Sequence, residues 1–153
     1  MKYKKSIALI TCLVSTPILT GCPSKSNNNN NNNNPPPNGS APSSLSGHTI
    51  SVSVNSGSAP FSSTGSYVFT PAGDGNSGSY QLEGTGGVQS NIGTYTYSAN
   101  GNTGNLVETE QSGTLVNNTL TFTSSTSGTI NSSSPSSGPG GVGGNESGTF
   151  TLN

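Results

Sequence analysis

The sequence predicts an all-β fold, an antiparallel meander of about seven or eight strands forming a small up-and-down barrel or a small sandwich. Three observations predict this fold. From Leu45 onward, apolar residues alternate with polar ones over short runs, which is the period of half-buried strands. Clusters of Gly, Asn, Asp and Pro separate the runs. No run in this part of the chain shows the helical period.

The runs share one composition, in which β-branched and aromatic residues alternate with Ser, Thr or Gln. The first run carries Ile50, Val52 and Val54, separated by two serines. The later runs carry Tyr67 and Phe69, Tyr80 and Leu82, Tyr95 and Tyr97, Leu120 and Phe122, and Phe150 and Leu152. One face of each strand is therefore expected to be buried.

Turn sequences separate several neighbouring runs and favour hairpins. Residues 73–76 (Gly-Asp-Gly-Asn) and residues 100–102 (Asn-Gly-Asn) are two such turns. We also interpret Asn117-Asn118 as a turn, because Asn tolerates positive φ. We interpret Asp74-Gly75-Asn76 as a turn and not as a calcium loop, since no Glu follows at the spacing that a bidentate ligand needs.

One long segment of the predicted domain lacks the alternating pattern. Residues 131–147 are rich in Ser, Gly and Pro. Such a composition predicts a flexible loop. The predicted β domain therefore spans residues 45–153 and contains this loop.

The N-terminus has three parts in a characteristic order. Residues 1–5 are positively charged, and residues 6–19 are mostly apolar but too short for a membrane-spanning helix of ~20 residues. Leu19-Thr20-Gly21-Cys22 follows, with small residues directly before the Cys. This arrangement resembles the signal peptide and lipobox of bacterial lipoproteins. An ordinary secretory signal is less favoured because no A-x-A-like cleavage site is present.

The resemblance implies how the chain is processed and held. Residues 1–21 are expected to be removed as a signal peptide, and the thiolate of Cys22 is expected to take up diacylglycerol. Acyl chains at ~0.8 kcal/mol per buried CH₂ would anchor the mature protein in a bilayer. Pro23 replaces the Asp that often favours inner-membrane retention in this family, so the resemblance favours the outer membrane. The periplasmic and surface sides both stay open.

A tether is predicted between the lipidated Cys and the β domain, over residues 22–44. Its centre consists of eight consecutive Asn residues, 27–34, followed by three prolines. No residue in this stretch offers an apolar face to bury, so we expect the tether to be disordered.

The charge distribution excludes one class of partner. All four cationic residues lie near the N-terminus: Lys2, Lys4, Lys5 and Lys25. From Ser26 onward the chain has five acidic residues and no Lys or Arg. A nucleic-acid-binding surface needs cations to neutralise phosphates, so we expect no nucleic-acid partner. With His48 as the only histidine and no Cys after Cys22, we also expect no metal or cofactor site.

Glu108 and Glu110 are the candidate ligand-contacting residues of the β domain. Both share strand parity with Leu106, whereas Val107 points to the other face. If Leu106 faces inward, the carboxylates line the interior or the mouth of a barrel; if Val107 faces inward, solvent surrounds them. We favour the solvated alternative, because a buried carboxylate without a cationic partner is costly.

Three functional hypotheses follow. The first is a non-enzymatic, membrane-anchored envelope lipoprotein with a binding or structural role. Its partner would be polysaccharide or another envelope component, and the regular threonines of the strands, such as Thr94 and Thr96, offer a surface for it. The second hypothesis is a carrier of a small apolar ligand in a barrel interior. The third is a glycan-acting hydrolase that uses Glu108 and Glu110. We expect no enzyme, because no other catalytic constellation is visible.

Overall fold

A computed structural model describes residues 39–135 and 143–153 of the chain. These residues form eight β-strands and no helix. The strands are β1 (Ile50–Gly57), β2 (Gly65–Pro71), β3 (Ser77–Thr85), β4 (Asn91–Asn100), β5 (Thr103–Glu110), β6 (Leu115–Phe122), β7 (Ser127–Ser134) and β8 (Gly144–Leu152).

The strands close into an antiparallel barrel. Each strand pairs with its neighbours in the chain, and β8 returns to pair with β1. Ile50 at the start of β1 therefore lies opposite Phe69 on one side and Leu152 on the other. The predicted meander is confirmed, and of the two predicted architectures the barrel is the observed one. Closure leaves none of the eight described strands with an unpaired edge.

The alternating apolar residues fill the barrel. Tyr80 stacks on Phe69 with ring centroids 4.9 Å apart, and Tyr95 meets the same ring edge-on at 5.6 Å. Phe122 and Phe150 form a second edge-on pair at 4.9 Å. These aromatic pairs and the surrounding aliphatic side chains occupy most of the interior, as is usual for a barrel of this size.

The barrel has two ends with different coverings. We call one the closed end; it carries the β2–β3, β4–β5 and β6–β7 connections, the C-terminus and residues 39–49, which precede β1. We call the other the open end; it carries the β1–β2, β3–β4, β5–β6 and β7–β8 connections. Residues 136–142 of the last connection lie outside the described residues.

Residues 39–49 cover the closed end. Leu45 is fully buried in the core, and its backbone N–H donates to the Gly75 carbonyl at 2.9 Å. The Tyr97 hydroxyl donates to the Pro42 carbonyl at 2.9 Å. The predicted tether was therefore extended too far, since its last residues belong to the barrel. The rest of the predicted tether, the signal peptide and Cys22 lie outside the described residues.

Two further predictions need correction, and one is confirmed. Asn117-Asn118 is not a turn but lies within β6, and the β5–β6 turn comes earlier, at residues 111–114. The predicted loop at residues 131–147 is too long, because Asn131 continues β7 and Ser147 belongs to β8. The turn at Asp74 is confirmed: its carboxylate Oδ1 accepts from the backbone N–H groups of Asn76 and Ser77, both at 2.9 Å.

Candidate functional site

Glu108 points into the barrel. Leu106 is 2% exposed and Glu108 4% exposed, whereas Val107 between them is half-buried on the outer face. The solvated alternative that the sequence favoured for Glu108 is therefore wrong. The expectation that Glu108 shares the face of Leu106 is confirmed. The desolvation cost did not prevent burial, because Asn118 supplies a hydrogen bond and because burial raises the pKa of the Glu108 carboxyl, which favours its neutral form.

The hydrogen bond comes from Asn118 on the adjacent strand. Its Nδ2 donates to Glu108 Oε1 over 2.7 Å, and Asn118 is only 3% exposed. In the β5–β6 register Asn118 lies opposite Leu106, so its side chain reaches Glu108 diagonally along the inner face. Asn118, which the sequence predicted to lie in a turn, is therefore the direct hydrogen-bond partner of Glu108.

Polar residues continue around the interior from Asn118. Ser132 on β7 lies directly opposite Asn118, and Glu146 on β8 lies directly opposite Ser132. Both side chains are buried, with exposures of 4% and 6%. The registers of three strands therefore place Asn118, Ser132 and Glu146 in one row across the inner wall, near the open end.

Burial controls the ionisation of both interior carboxyl groups. Desolvation raises the pKa of Glu108 to about 8, although the Asn118 hydrogen bond opposes this shift, and the nearby Glu110 carboxyl adds to it. Desolvation also raises the pKa of Glu146, and interaction with the Tyr67 hydroxyl partly offsets that increase. The described residues include no Lys or Arg to pair with either group. Glu108 is consequently mostly protonated at neutral pH.

Three buried polar atoms in this part of the barrel have no hydrogen-bond partner among the described residues. They are Ser132 Oγ, Asn91 Oδ1 and Tyr80 Oη. The Tyr80 hydroxyl interacts with Glu108 without a well-formed hydrogen bond, and its pKa is raised mainly by desolvation and then by the Glu108 carboxyl. Unpaired buried polar atoms are uncommon in folded proteins and are usually completed by ordered water or a ligand. Tyr95 Oη is a fourth such atom among the described residues, and it does not line the cavity described below.

Glu110 lies on the same strand face as Glu108 but closer to the open end. It is half-buried at the end of β5, where its carboxylate accepts from Ser112 Oγ at 3.0 Å and from Asn91 Nδ2 at 3.4 Å. The sequence-predicted pair is therefore brought to one face, with Glu108 inside the barrel and Glu110 at its rim.

A cavity of about 120 Å³ lies at the open end, between these polar groups. Both sequence-predicted glutamates line it, together with Glu146, Asn118 and Ser132. Apolar walls come from Leu82, Val88, Val116, Pro60 and Phe61. The cavity is smaller than the ~300 Å³ typical of pockets for drug-sized ligands, so it suits a small polar group.

His48, the only histidine of the sequence, lies away from this cavity. His48 is half-buried just before β1 at the closed end, on the opposite side of the barrel from Glu108. Within residues 39–135 and 143–153, no group of three His, Cys, Asp or Glu side chains is placed to hold a metal ion. The same residues contain no helix long and apolar enough to span a membrane.

Sequence reasoning missed Asn118, Ser132 and Glu146. The alternation of the strands identifies them when it is extended from the apolar residues to polar residues at an even spacing on the same strand. Asn118 is two residues before Leu120, Ser132 two after Ile130, and Glu146 four before Phe150. Their residue types hid this alternation, because Asn, Ser and nearby Gly residues favour turns and loops.

Comparison with protein-family models, curated proteins and solved structures finds no match for this chain.

Proposed function

We propose that this protein is an outer-membrane lipoprotein, held in the cell envelope by lipid on Cys22, whose barrel is a non-enzymatic binding module. The N-terminal resemblance to bacterial lipoproteins supports the anchor. The observation that carries the binding role is the cavity at the open end, where buried polar groups lack partners. Unsatisfied buried polar atoms cost stability, so the presence of several beside one cavity favours a binding role over a purely structural one.

The covering of the closed end supports the same proposal. Residues 39–49 enter the barrel there, and Leu45 fills the core behind them. Residues 39–49 therefore approach β1 at the end of the barrel away from the cavity.

The contents of the interior favour a polar ligand over an apolar one. Aromatic and aliphatic side chains fill the space between the closed end and the Glu108 level. The cavity begins where Glu108, Glu146 and Asn118 replace them. An apolar molecule bound there would leave these groups without hydrogen bonds.

Burial of Glu108 also argues against the glycan-acting hydrolase. Glycoside hydrolysis needs two carboxyl groups on opposite sides of the scissile bond. Glu108 is 4% exposed inside the barrel, so a glycan chain would have to enter the interior to reach it. The exposed threonines on the outer face, such as Thr94 and Thr96, remain a proposed contact surface for polysaccharide.

The anchor is tested by mass spectrometry and cell fractionation of the full chain. The proposal predicts that the mature N-terminal residue is Cys22 carrying diacylglycerol, and that the protein sediments with outer membranes. Cys22→Ser should abolish lipid attachment and membrane association. Cys12→Ser is the matched control, because Cys12 lies in the segment proposed to be removed, and it should change neither. An unmodified Cys22 in membrane-associated protein contradicts the proposed anchor.

A further inference from the structure

The cavity at the open end is lined by carboxyl groups and other hydrogen-bond acceptors. Three carboxyl groups line it, from Glu108, Glu110 and Glu146, and the unpartnered Oδ1 of Asn91 is a fourth acceptor. From Ser26 to the C-terminus the chain has no Lys or Arg that would neutralise them. A cationic group rich in N–H donors would complement these acceptors and favour their ionised form.

The unpartnered Ser132 hydroxyl is an independent indication of a ligand. Ser132 is 4% exposed, points inward from β7 and lines the cavity, yet among the described residues its Oγ interacts only with the Tyr67 hydroxyl, without a well-formed hydrogen bond. Ser134 offers a comparison on the same strand face, because its Oγ donates to the Leu115 carbonyl at 2.9 Å. Of these two inward serines on β7, only the one beside the cavity lacks a well-formed hydrogen bond among the described residues.

The walls of the cavity narrow the ligand class. Leu82, Val88 and Val116 provide apolar surface beside the carboxyl groups, which suits the carbon chain of an organic cation. A bare metal ion is less suited: three carboxyl groups line the cavity, but among the described residues no three acidic, His or Cys side chains are placed so that they could coordinate one ion. The volume of about 120 Å³ limits the ligand to a small aliphatic molecule or to the end of a longer one.

We propose that the open end binds the ammonium group of an aliphatic primary amine, with the N–H donors directed at Glu108, Glu146 and Ser132 and the alkyl chain against Leu82 and Val88. This inference rests on the proposed binding role of the barrel, and it adds the chemical class of the ligand. The compact, three-donor geometry of a primary ammonium group suits several acceptors arranged around a small cavity.

Binding should be coupled to release of a proton. The groups facing Glu108 are Glu110 on its own strand, Glu146 on β8, Tyr67 on β2, Tyr80 on β3 and Asn118 on β6, and none of them is cationic. Without a bound cation the Glu108 carboxyl therefore keeps its proton near neutral pH. An entering ammonium ion favours the carboxylate, so Glu108 loses that proton to the buffer while the amine stays protonated.

Isothermal titration calorimetry of the full chain in non-ionic detergent tests the proposal, with n-butylamine as the probe. Titration at neutral pH in two buffers of different ionisation enthalpy measures the protons released. The expected result is saturable binding with about one proton released per bound amine. Butan-1-ol, which has the same chain but no charge, should bind at least about tenfold more weakly.

Glu108→Gln should weaken n-butylamine binding at least about tenfold and abolish the proton release. Glu83→Gln is the matched control, because Glu83 is exposed on the outer face of β3, and it should leave both unchanged. If circular dichroism shows that Glu108→Gln is unfolded, Glu146→Gln and Ser132→Ala provide the same test of weakened binding.

Several results would overturn the inference. These are no binding of n-butylamine at millimolar concentration, equal binding of butan-1-ol, or unchanged affinity in a folded Glu108→Gln variant. If calcium chloride binds and that binding depends on Glu108, the ligand of the cavity is a metal ion and not an amine. If native mass spectrometry finds another small molecule on the barrel while n-butylamine does not bind, only the amine assignment fails, and the proposed binding role stands.

Discussion

Asn118 Nδ2 and Glu108 Oε1 form a 2.7 Å hydrogen bond between two side chains that are each at least 96% buried. The bond connects β5 and β6 inside the barrel and provides the one well-formed side-chain contact of the Glu108 carboxyl among the described residues. It favours the carboxylate, whereas burial favours the protonated form, and burial has the larger effect on the Glu108 pKa.

Replacing Asn118 by Leu should destabilise the barrel, because the similar-sized side chain cannot donate to Glu108. Loss of a hydrogen bond that leaves a buried partner unsatisfied costs about 1–3 kcal/mol in the free energy of unfolding. Asn117→Leu is the matched control on the exposed face of β6 and should change stability by less than about 0.5 kcal/mol. Urea denaturation measures both; equal effects of the two changes would contradict the assigned bond.

Stability should fall as pH rises from about 4.5 to about 8, because of Glu108. In the unfolded chain this carboxyl ionises near its ordinary pKa of 4.5, whereas in the folded barrel it keeps its proton up to about 8. The folded state thus binds more protons in this range, so the free energy of unfolding decreases with pH and levels off above it. The full decrease is at most about 5 kcal/mol.

Glu108→Gln should remove most of this pH dependence and be more stable than the original chain above pH 8, since Gln never ionises. A smaller decrease of the same sign should remain from Glu146, whose pKa is also raised. Chemical denaturation across the pH range measures the effect. Identical pH profiles for the two chains would show that Glu108 is not the titrating group.

Ser132→Ala and Ser134→Ala should have different effects, although both serines face inward from β7. Ser134 Oγ donates to the Leu115 carbonyl, so its removal should cost about 1 kcal/mol. Ser132 Oγ has no well-formed hydrogen bond among the described residues, so Ser132→Ala should leave the stability unchanged or slightly higher. Thermal unfolding of the two variants compares them, and a larger loss for Ser132→Ala would contradict the unpaired hydroxyl.

Leu45→Ala should destabilise the barrel by about 2–5 kcal/mol, as expected for a fully buried leucine. Its neighbour Ser46 is exposed, so Ser46→Ala is a suitable control. The comparison tests whether residues before β1 belong to the folded unit. Similar stability of the two variants would contradict the packing of Leu45 in the core.

The sequence predicted the parts of the fold that depend on apolar alternation. Runs such as Ile50-Ser51-Val52 and Tyr95-Thr96-Tyr97 specify the buried face of each strand without knowledge of the partners. Barrel closure was left open, because the pairing of β1 with β8 joins residues almost a whole domain apart in the chain. Local patterns carry no information on such a contact.

The candidate site was predicted only in part for a related reason. Glu108 was found from its parity with Leu106, but its depth depends on neighbours from other strands. Asn118 and Glu146 were assigned to a turn and a loop, because their residue types favour those conformations in isolation. Inside the barrel, strand pairing on both sides outweighs that preference, and the polar side chains hydrogen-bond or line the cavity.

The most direct test of the account is a ¹³C NMR titration of the glutamate side-chain carboxyl groups in the full chain, with Glu108 assigned by the signal missing in Glu108→Gln. The account predicts that this carboxyl titrates with a pKa of about 8, because it lies inside the barrel without a cationic partner. A Glu108 signal that titrates at its ordinary value of 4.5 would contradict the account, since the carboxyl would then be solvated and the cavity would not have the proposed chemistry.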